Sequence, residues 1–290
     1  MLVHIKDLLS EADKHGYAIG SFNIHNVESA LGVARAAEAT CSPVIIQVSE
    51  STIKYMGLKP VTHLVSTVAK NVAKNVPIAL HLDHGSSFAS VLECINAGFT
   101  SVHIDASSLP LDENIAITKQ VVEFAHTKNV WVQGEVGAMV GGHGSRGGVI
   151  DIPKANPDDV IAFVRQTGVD TIAAGIGTAH GYYENEEVDF VLLNKIIKQI
   201  SIPFILHGGS GIPDADIIRG IKEGINVINI GTDIKVAFCE TLIKNCKANP
   251  NETDPRKLLE PTIAAVEAVV AGKIKVFGSA GCIIPSSIET

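Results

Sequence analysis

The sequence predicts an α/β fold, a closed (β/α)8 barrel, and three observations carry that prediction. Short aliphatic runs alternate with longer helical patterns, and eight such pairs fit into 290 residues. The runs are continuously apolar, as expected of parallel strands covered by helices. No glycine-rich nucleotide turn follows the first run, where SFNIHNVES stands, which argues against a doubly wound open sheet.

The units follow in order. Strand one is YAIGSF, 17–22, with a helical pattern over 26–39. PVIIQV, 43–48, leads into the helical stretch 60–75. PIALHL, 77–82, precedes the helix expected at 87–97, and TSVHI, 100–104, precedes 112–128. VWVQGEV, 130–136, is followed by 156–167, and DTIAAG, 170–175, by 188–200. IPFIL, 202–206, and INVINI, 225–230, close the series, with helices expected over 213–223 and 232–247. Residues 255–290 read as an extra helical tail, and no Pro/Gly/Ser linker divides the chain, so 1–290 is expected to form one TIM-barrel domain.

Composition narrows the function. A net charge of −8 argues against a nucleic-acid partner, so an anionic substrate needs local groups to hold it. The opening MLVHIKDLLSEADKHGYAIG carries charges every few residues, which fits neither a signal peptide nor a membrane span. Five scattered cysteines (Cys41, Cys94, Cys239, Cys246, Cys282) contain no C-x-x-C pair. They suggest neither a disulfide framework nor a Cys-based zinc site, and a reduced, cytoplasmic protein is expected.

Polar groups collect where the strands end. Strand one ends in Asn23, strand two in Ser49 and Glu50, strand three in Asp83, His84 and Gly85, and strand four in Asp105. Glu135 ends strand five, His180 lies in GIGTAHG after strand six, His207 opens HGGSG after strand seven, and Asn229 and Asp233 lie in NIGTD. Active sites of such barrels form at this end. Taken singly, His84, His180 and His207 each read as hydrogen-bonded rim residues. Taken together, three imidazoles with an open fourth position match a catalytic zinc. His81 and His103, in strands, and His4, His15, His63 and His126 read as structural. HGGSG, 207–211, offers N–H donors at the usual phosphate position of this fold. The alternative is a plain left-handed turn into a helix.

The motifs LHLDHG, GTAHG, LHGGSGIP and NIGTD, in this order, resemble the class II, zinc-dependent fructose-/tagatose-bisphosphate aldolase family, from YAIGSFNIHN to DPRKLL. The resemblance implies Zn2+ held by His84, His180 and His207, with Glu135 near the metal as a second or transient ligand. It implies Asp83 as the acid/base that handles the hydroxyl proton in C–C cleavage. Gly181, Gly208, Gly209 and Ser210 match turns that hold the ketose phosphate and a monovalent cation, Na+ or K+. Asn229, Thr232 and Asp233 match the segment contacting the dihydroxyacetone phosphate portion, and Asn23 and Ser49 face the other half of the substrate. Arg256 in DPRKLL matches an arginine that meets the distal phosphate from a neighbouring subunit, so a homodimer or homotetramer is expected. The chain departs from the family in GAMVGGHGSRGG, 137–148, where a proton-shuttling glutamate is absent and His143 and Arg146 stand instead.

The implied reaction is reversible cleavage of a ketose (bis)phosphate to dihydroxyacetone phosphate and an aldehyde through a zinc-stabilised enediolate, placing the chain in carbohydrate metabolism with glycolysis as its expected setting. Neutral imidazoles leave the metal its full charge for this Lewis-acid work. Asp83 is also readable as an orienting partner of His81 or His84. A Schiff-base mechanism needs a lysine on a buried strand, whereas Lys54, Lys59 and Lys119 fall on helices or loops. Competing readings are an aldolase for a keto-deoxy sugar acid phosphate, as in inositol breakdown, a zinc hydrolase, and a non-catalytic sugar-phosphate binder. The hydrolase should show H-x-H after strand one, and FNIHN has only His25.

Overall fold

The computed structural model describes residues 2–283, without the side chains of residues 143 and 144. In chain order, α1 (Ile5–His15) and β1 (Ile19–Asn23) precede α2 (Val27–Ala39), β2 (Val44–Ser49), α3 (Glu50–Met56), α4 (Leu58–Asn71), β3 (Ile78–Gly85) and α5 (Phe88–Ala97). Then come β4 (Ser101–Ile104), α6 (Leu111–Thr127), β5 (Trp131–Val136), β6 (Gly141–Arg146), α7 (Pro157–Thr167), β7 (Thr171–Ala174), β8 (His180–Tyr182) and α8 (Phe190–Ile197). The series ends with β9 (Phe204–Leu206), α9 (Asp214–Lys222), β10 (Ile225–Ile230), α10 (Thr232–Ala248) and α11 (Pro255–Val276). Eight parallel strands close a barrel in the order β1-β10-β9-β7-β5-β4-β3-β2, and all eight expected strands are among them. The glycine-rich β6 and the short β8 form a separate parallel pair that no aliphatic run announces.

The helix α1 was not among the eight expected. Its apolar residues Ile5, Leu8, Leu9 and Ala12 recur at one helical face. Nδ1 of His4 accepts the Lys6 N–H at its start, and Gly16 ends it in the left-handed conformation at φ 71°. The buried face packs on inward-facing Ile19, Ile45, Ala79, Ala173, Ile205 and Val227, closing one end of the barrel with an apolar plug. Burial of each large side chain there is worth about 1.5–3 kcal/mol.

Two residues further along several of the same strands, the inward positions turn polar: Ser21 and Asn23, Gln47, His81 and Asp83, Ser101 and His103, Gln133 and Glu135, Asn229. A strand alternates faces, so one register gives an apolar end and a polar end to the same interior. The outward faces, such as Phe22, Ile46, Leu80 and Val102, pack under the helices.

Of the expected tail 255–290, α11 is helical and packs against α2, and residues 284–290 lie outside the described residues. The crossing is close because Gly32 has no side chain. A Cβ there would lie 2.7 Å from Cγ1 of Val266 and 2.9 Å from the carbonyl oxygen of Ile263.

Candidate active site and metal centre

The polar end of the barrel opens into a cleft of about 330 Å³ lined by Asn23, His25, Ser49, Glu50, Ser51, Asp83, His84, Asp105, Met139, His180 and Lys235. It adjoins a narrower recess lined by Gly181, Gly208, Ser210, Asn229, Gly231 and Thr232, and Asn23, Asp83 and His180 border both.

Asp83 and His84 are consecutive, so a regular strand would send them to opposite faces. The chain avoids this with His84 at φ 50°, in the left-handed region, where the β3–β4 register also slips between Leu82 and Gly85. A non-glycine residue there costs of order 1–3 kcal/mol, strain of the kind that collects at functional sites. The result is that both side chains border the cleft.

The rings of the three histidines expected to share a metal lie near one another, although His180 is outside the set whose ligand atoms cluster most closely. The His84 ring centre is 4.8 Å from that of His207 and 5.0 Å from that of His180, and His180 and His207 are 6.0 Å apart. His103, read from sequence as structural, joins them with its ring 4.7 Å from His84. Ligand atoms of His84, His103, Glu135 and His207 all lie within 4.8 Å of one another, so these four could hold a metal ion.

Hydrogen bonds decide which atoms are free for a metal. His84 Nδ1 is 2.6 Å from Oδ2 of Asp105, which leaves Nε2 facing Nδ1 of His207 at 3.1 Å. Two nitrogens each about 2.05 Å from a tetrahedral zinc would sit about 3.3 Å apart. Nε2 of His207 lies 2.7 Å from the amide nitrogen of Gln133, whose own buried oxygen has no hydrogen-bond partner. Turning that amide over lets Oε1 accept from Nε2–H and leaves Nδ1 a lone pair. Oε2 of Glu135 is likewise buried without a hydrogen bond, 3.6 Å from His207 Nδ1. His103 differs: its Nδ1 accepts the His84 backbone N–H at 3.3 Å, which puts its proton on Nε2, 3.5 Å from Glu135. The donors therefore fit a divalent cation, with His103 a weaker candidate than its position suggests.

The electrostatics divide these groups: His207 is neutral, whereas His84 and Glu135 hold protons that an incoming metal would displace. Burial pushes the Glu135 carboxyl up to about 8, assisted by the carboxylates of Asp105 and Asp83. Burial would lower His84, but Asp83, Asp105 and Glu135 outweigh it and raise the imidazole to about 10. Burial and neighbouring histidines push His207 well below its ordinary value, so it stays neutral, as a ligand must. His81 keeps its structural reading: burial lowers it to about 4, and Nδ1 meets Ser101 Oγ at 2.8 Å.

A buried chain of hydrogen bonds ends on Asp83. Ser21 Oγ donates to Gln47 Oε1 at 2.6 Å, Gln47 Nε2 to Asn23 Oδ1 at 2.7 Å, and Asn23 Nδ2 to Asp83 Oδ2 at 2.8 Å. Each amide is thereby fixed in one orientation, and Oδ1 of Asp83 is 3.7 Å from His84 Nε2.

The other expected residues divide. Gly181, Gly208, Ser210, Asn229 and Thr232 line the recess. Gly208 is at φ 68°, and a Cβ there would come within 2.3 Å of the Ala179 carbonyl oxygen. Gly209 packs on β10, its N–H donating to the Asn229 carbonyl at 3.2 Å. Ser49 lines the cleft and caps α3, accepting the Thr52 N–H. Asp233 turns away: its carboxylate accepts from Tyr182 Oη and pairs with Lys273 Nζ at 3.1 Å. Arg146 pairs with Glu240 at 2.8 Å, and the side chain of His143 lies outside the described residues. Arg256 is exposed and held by Asp254 at 2.8 Å. Neither arginine lines the cleft. Sequence reading missed Gln47, His103, Gln133 and Lys235. For the strand residues the signal was available, as polar residues two apart in Q-V-S, H-I-D and Q-G-E.

Behind His180, Glu186 is half-buried and its Oε1 accepts the Ala179 N–H at 2.9 Å. Burial raises this carboxyl to about 7. A raised carboxyl favours the fold at low pH, and that contribution is lost as pH climbs from about 4.5 through 7. Glu186→Gln keeps the acceptor and should raise the melting temperature by about 2 °C at pH 8 with no gain at pH 4.5. Calorimetry at the two pH values checks this, and an equal shift at both would contradict it.

The family model for class II fructose-bisphosphate aldolase matches residues 3–282. A fructose-bisphosphate aldolase of Geobacillus stearothermophilus is 42% identical over 282 residues, covering 97% of this chain and 98% of that one. A 6-phospho-5-dehydro-2-deoxy-D-gluconate aldolase of Bacillus licheniformis is 42% identical over 282 residues, covering 96% of each. Among solved structures, the YdjI aldolase of Escherichia coli K12 superposes with a TM-score of 0.84 at 32% identity, over 98% of this chain and 100% of that one.

Proposed function

Since this chain belongs to the class II fructose-bisphosphate aldolase family, and is therefore an aldolase and a lyase, we propose that it reversibly cleaves a ketose phosphate into dihydroxyacetone phosphate and an aldehyde at the cleft described above. The observation that carries this reading is that Asp83 and His180 border both cleft and recess, with His84 lining the cleft and the buried His207 ring 4.8 Å behind it.

His84, His180 and His207 would hold the divalent metal, with Glu135 reaching the same space. A zinc ion there supplies Lewis acidity for the negative charge that develops on the ketose half. The protein's own groups do the rest. The recess takes the ketose phosphate: it is lined by Gly208 and Ser210, and α10 starts beside it at Thr232, where Ser210 Oγ accepts the Asp233 N–H at 3.2 Å. Main-chain groups of the same turns would also bind a sodium or potassium ion beside the phosphate. Asp83, held by Asn23, takes the C4 hydroxyl proton as the bond breaks and returns it in the synthetic direction. Asp105 fixes the His84 ring.

Among the described residues, no helix is long and apolar enough to cross a membrane. The same reading makes the protein a cytoplasmic enzyme of sugar-phosphate metabolism and glycolysis. It assembles as a homodimer or homotetramer in which Arg256 serves a neighbouring copy.

The test is release of triose phosphate from a panel of ketose phosphates and one keto-deoxy sugar acid phosphate, with EDTA and with Zn2+ restored. Cleavage of one panel member, lost in EDTA and recovered with Zn2+, is the expected result. Cleavage indifferent to EDTA would overturn the metal-dependent reading.

A further inference from the structure

The barrel wall itself carries His84, near the end of β3, and His207, directly after β9. Their rings are braced from inside the barrel end, by Asp105 and by Gln133. His180 is carried differently. It opens β8, a three-residue strand outside the barrel, and among the described residues β8 pairs with β6 alone. That partner, GGHGSR, has glycine at three of its six positions, and glycine weakens a strand. Before His180 the chain is tied down by Thr178, whose Oγ1 donates to the His207 carbonyl at 2.8 Å. After it, Tyr182 Oη donates to the carboxylate of Asp233, in the first turn of α10.

We propose that Tyr182 is a positioning residue for His180: its phenol, anchored on Asp233, holds β8 so that the imidazole stays at the junction of cleft and recess. This rests on the metal-dependent aldolase reading and adds to it a residue that lines neither cleft nor recess. The anchor is itself well fixed. The Asp233 N–H donates to Ser210 Oγ at 3.2 Å, and its carboxylate also pairs with Lys273 Nζ of α11 at 3.1 Å. The Asp233 side chain is only 14% exposed, and a charge-assisted hydrogen bond away from water is a strong one. Two helical turns further along α10, Glu240 pairs with Arg146, the residue opposite Tyr182 in the β6–β8 pair. That second attachment is exposed on both sides, so it adds little. Gly181, between His180 and Tyr182, packs so closely that a Cβ would meet the carbonyl oxygens of Gly142 and Ser145 at 3.0 Å. A shift at Tyr182 is therefore passed along the backbone to His180.

The test is a double-mutant cycle on zinc affinity in wild type, Tyr182→Phe, His180→Asn and the double variant, read by competition with chromophoric chelators. Phenylalanine removes the hydroxyl and keeps the ring. Tyr182→Phe should weaken zinc binding about 10-fold, the lower end for a partner outside the ligand set. In the His180→Asn background, read with a weaker chelator, the same change should alter affinity by less than about twofold. Unchanged affinity in Tyr182→Phe overturns the proposal. So does an equal loss in both backgrounds, because the hydroxyl would then support the fold at large and not His180. Should Tyr182→Phe show no cooperative melting transition, Asp233→Asn replaces it in the cycle under the same criteria, since it removes the charge that strengthens the bond. The cycle reads metal binding and not cleavage. A wild type that binds zinc but cleaves no ketose phosphate thus overturns the aldolase reading and leaves Tyr182 to be judged by the cycle, whereas a wild type that binds no zinc overturns both.

Discussion

Asp83→Ala should lower kcat for cleavage by at least about 10²–10⁴-fold, the usual contribution of a general base, while the zinc content stays at wild-type level. The geometry separates these two outcomes. Asp83 is buried and borders both cleft and recess, so its carboxylate can reach a hydroxyl on the bond between the two substrate halves. It is not among the four residues whose ligand atoms cluster within 4.8 Å. Because alanine leaves Asn23 Nδ2 without its acceptor, Asp83→Asn is the companion variant. It preserves volume and an oxygen for Asn23, so a similar fall in kcat assigns the loss to the missing base and not to the broken hydrogen-bond chain. Activity within threefold of wild type in Asp83→Asn would remove Asp83 from proton transfer.

The second large effect is on the metal. His207→Ala should weaken zinc binding by more than about 100-fold, since even a partner outside the ligand set typically contributes 10–100-fold. Cleavage should fall with it. Competition with a chromophoric chelator reads the affinity, and elemental analysis the stoichiometry. One full equivalent of zinc retained by the variant would refute the ligand set. Two further variants fix the position of the ion. If His84, His180 and His207 hold it, His180→Asn releases zinc and His103→Asn does not. The reverse result would put the ion among His84, His103, Glu135 and His207, with His103 having moved its proton to Nδ1.

Much of this was legible in the chain. The eight strands could be found because each is a short aliphatic run whose outward face is buried under helices, a property of local composition. The short α1 and the pair β6 and β8 escaped. The helix shows only a few apolar residues among charged ones, and GGHGSR carries no hydrophobic period. Residues at strand ends were found because barrel topology sends every strand end to one rim. Asp233 misled because position alone does not give orientation. Its side chain leaves the helix towards Tyr182 and Lys273, while Thr232 beside it lines the recess.

By itself the sequence determined the alternation of strand and helix, the polar residues at the strand ends, and hence which imidazoles and carboxylates could meet. Those features depend on local period and on chain order, which a linear string records. Only the folded chain decided who meets whom. The left-handed turn at His84 brings two consecutive side chains to one cleft, hydrogen bonds to Asp105 and Gln133 select the nitrogens that face each other, and the closing of β10 onto β1 carries Lys235 across to Asn23 and Asp83. Hydrogen bonds and electrostatic contacts act over a few ångströms in space, and in this barrel they join residues that are 60 or 123 positions apart in the chain.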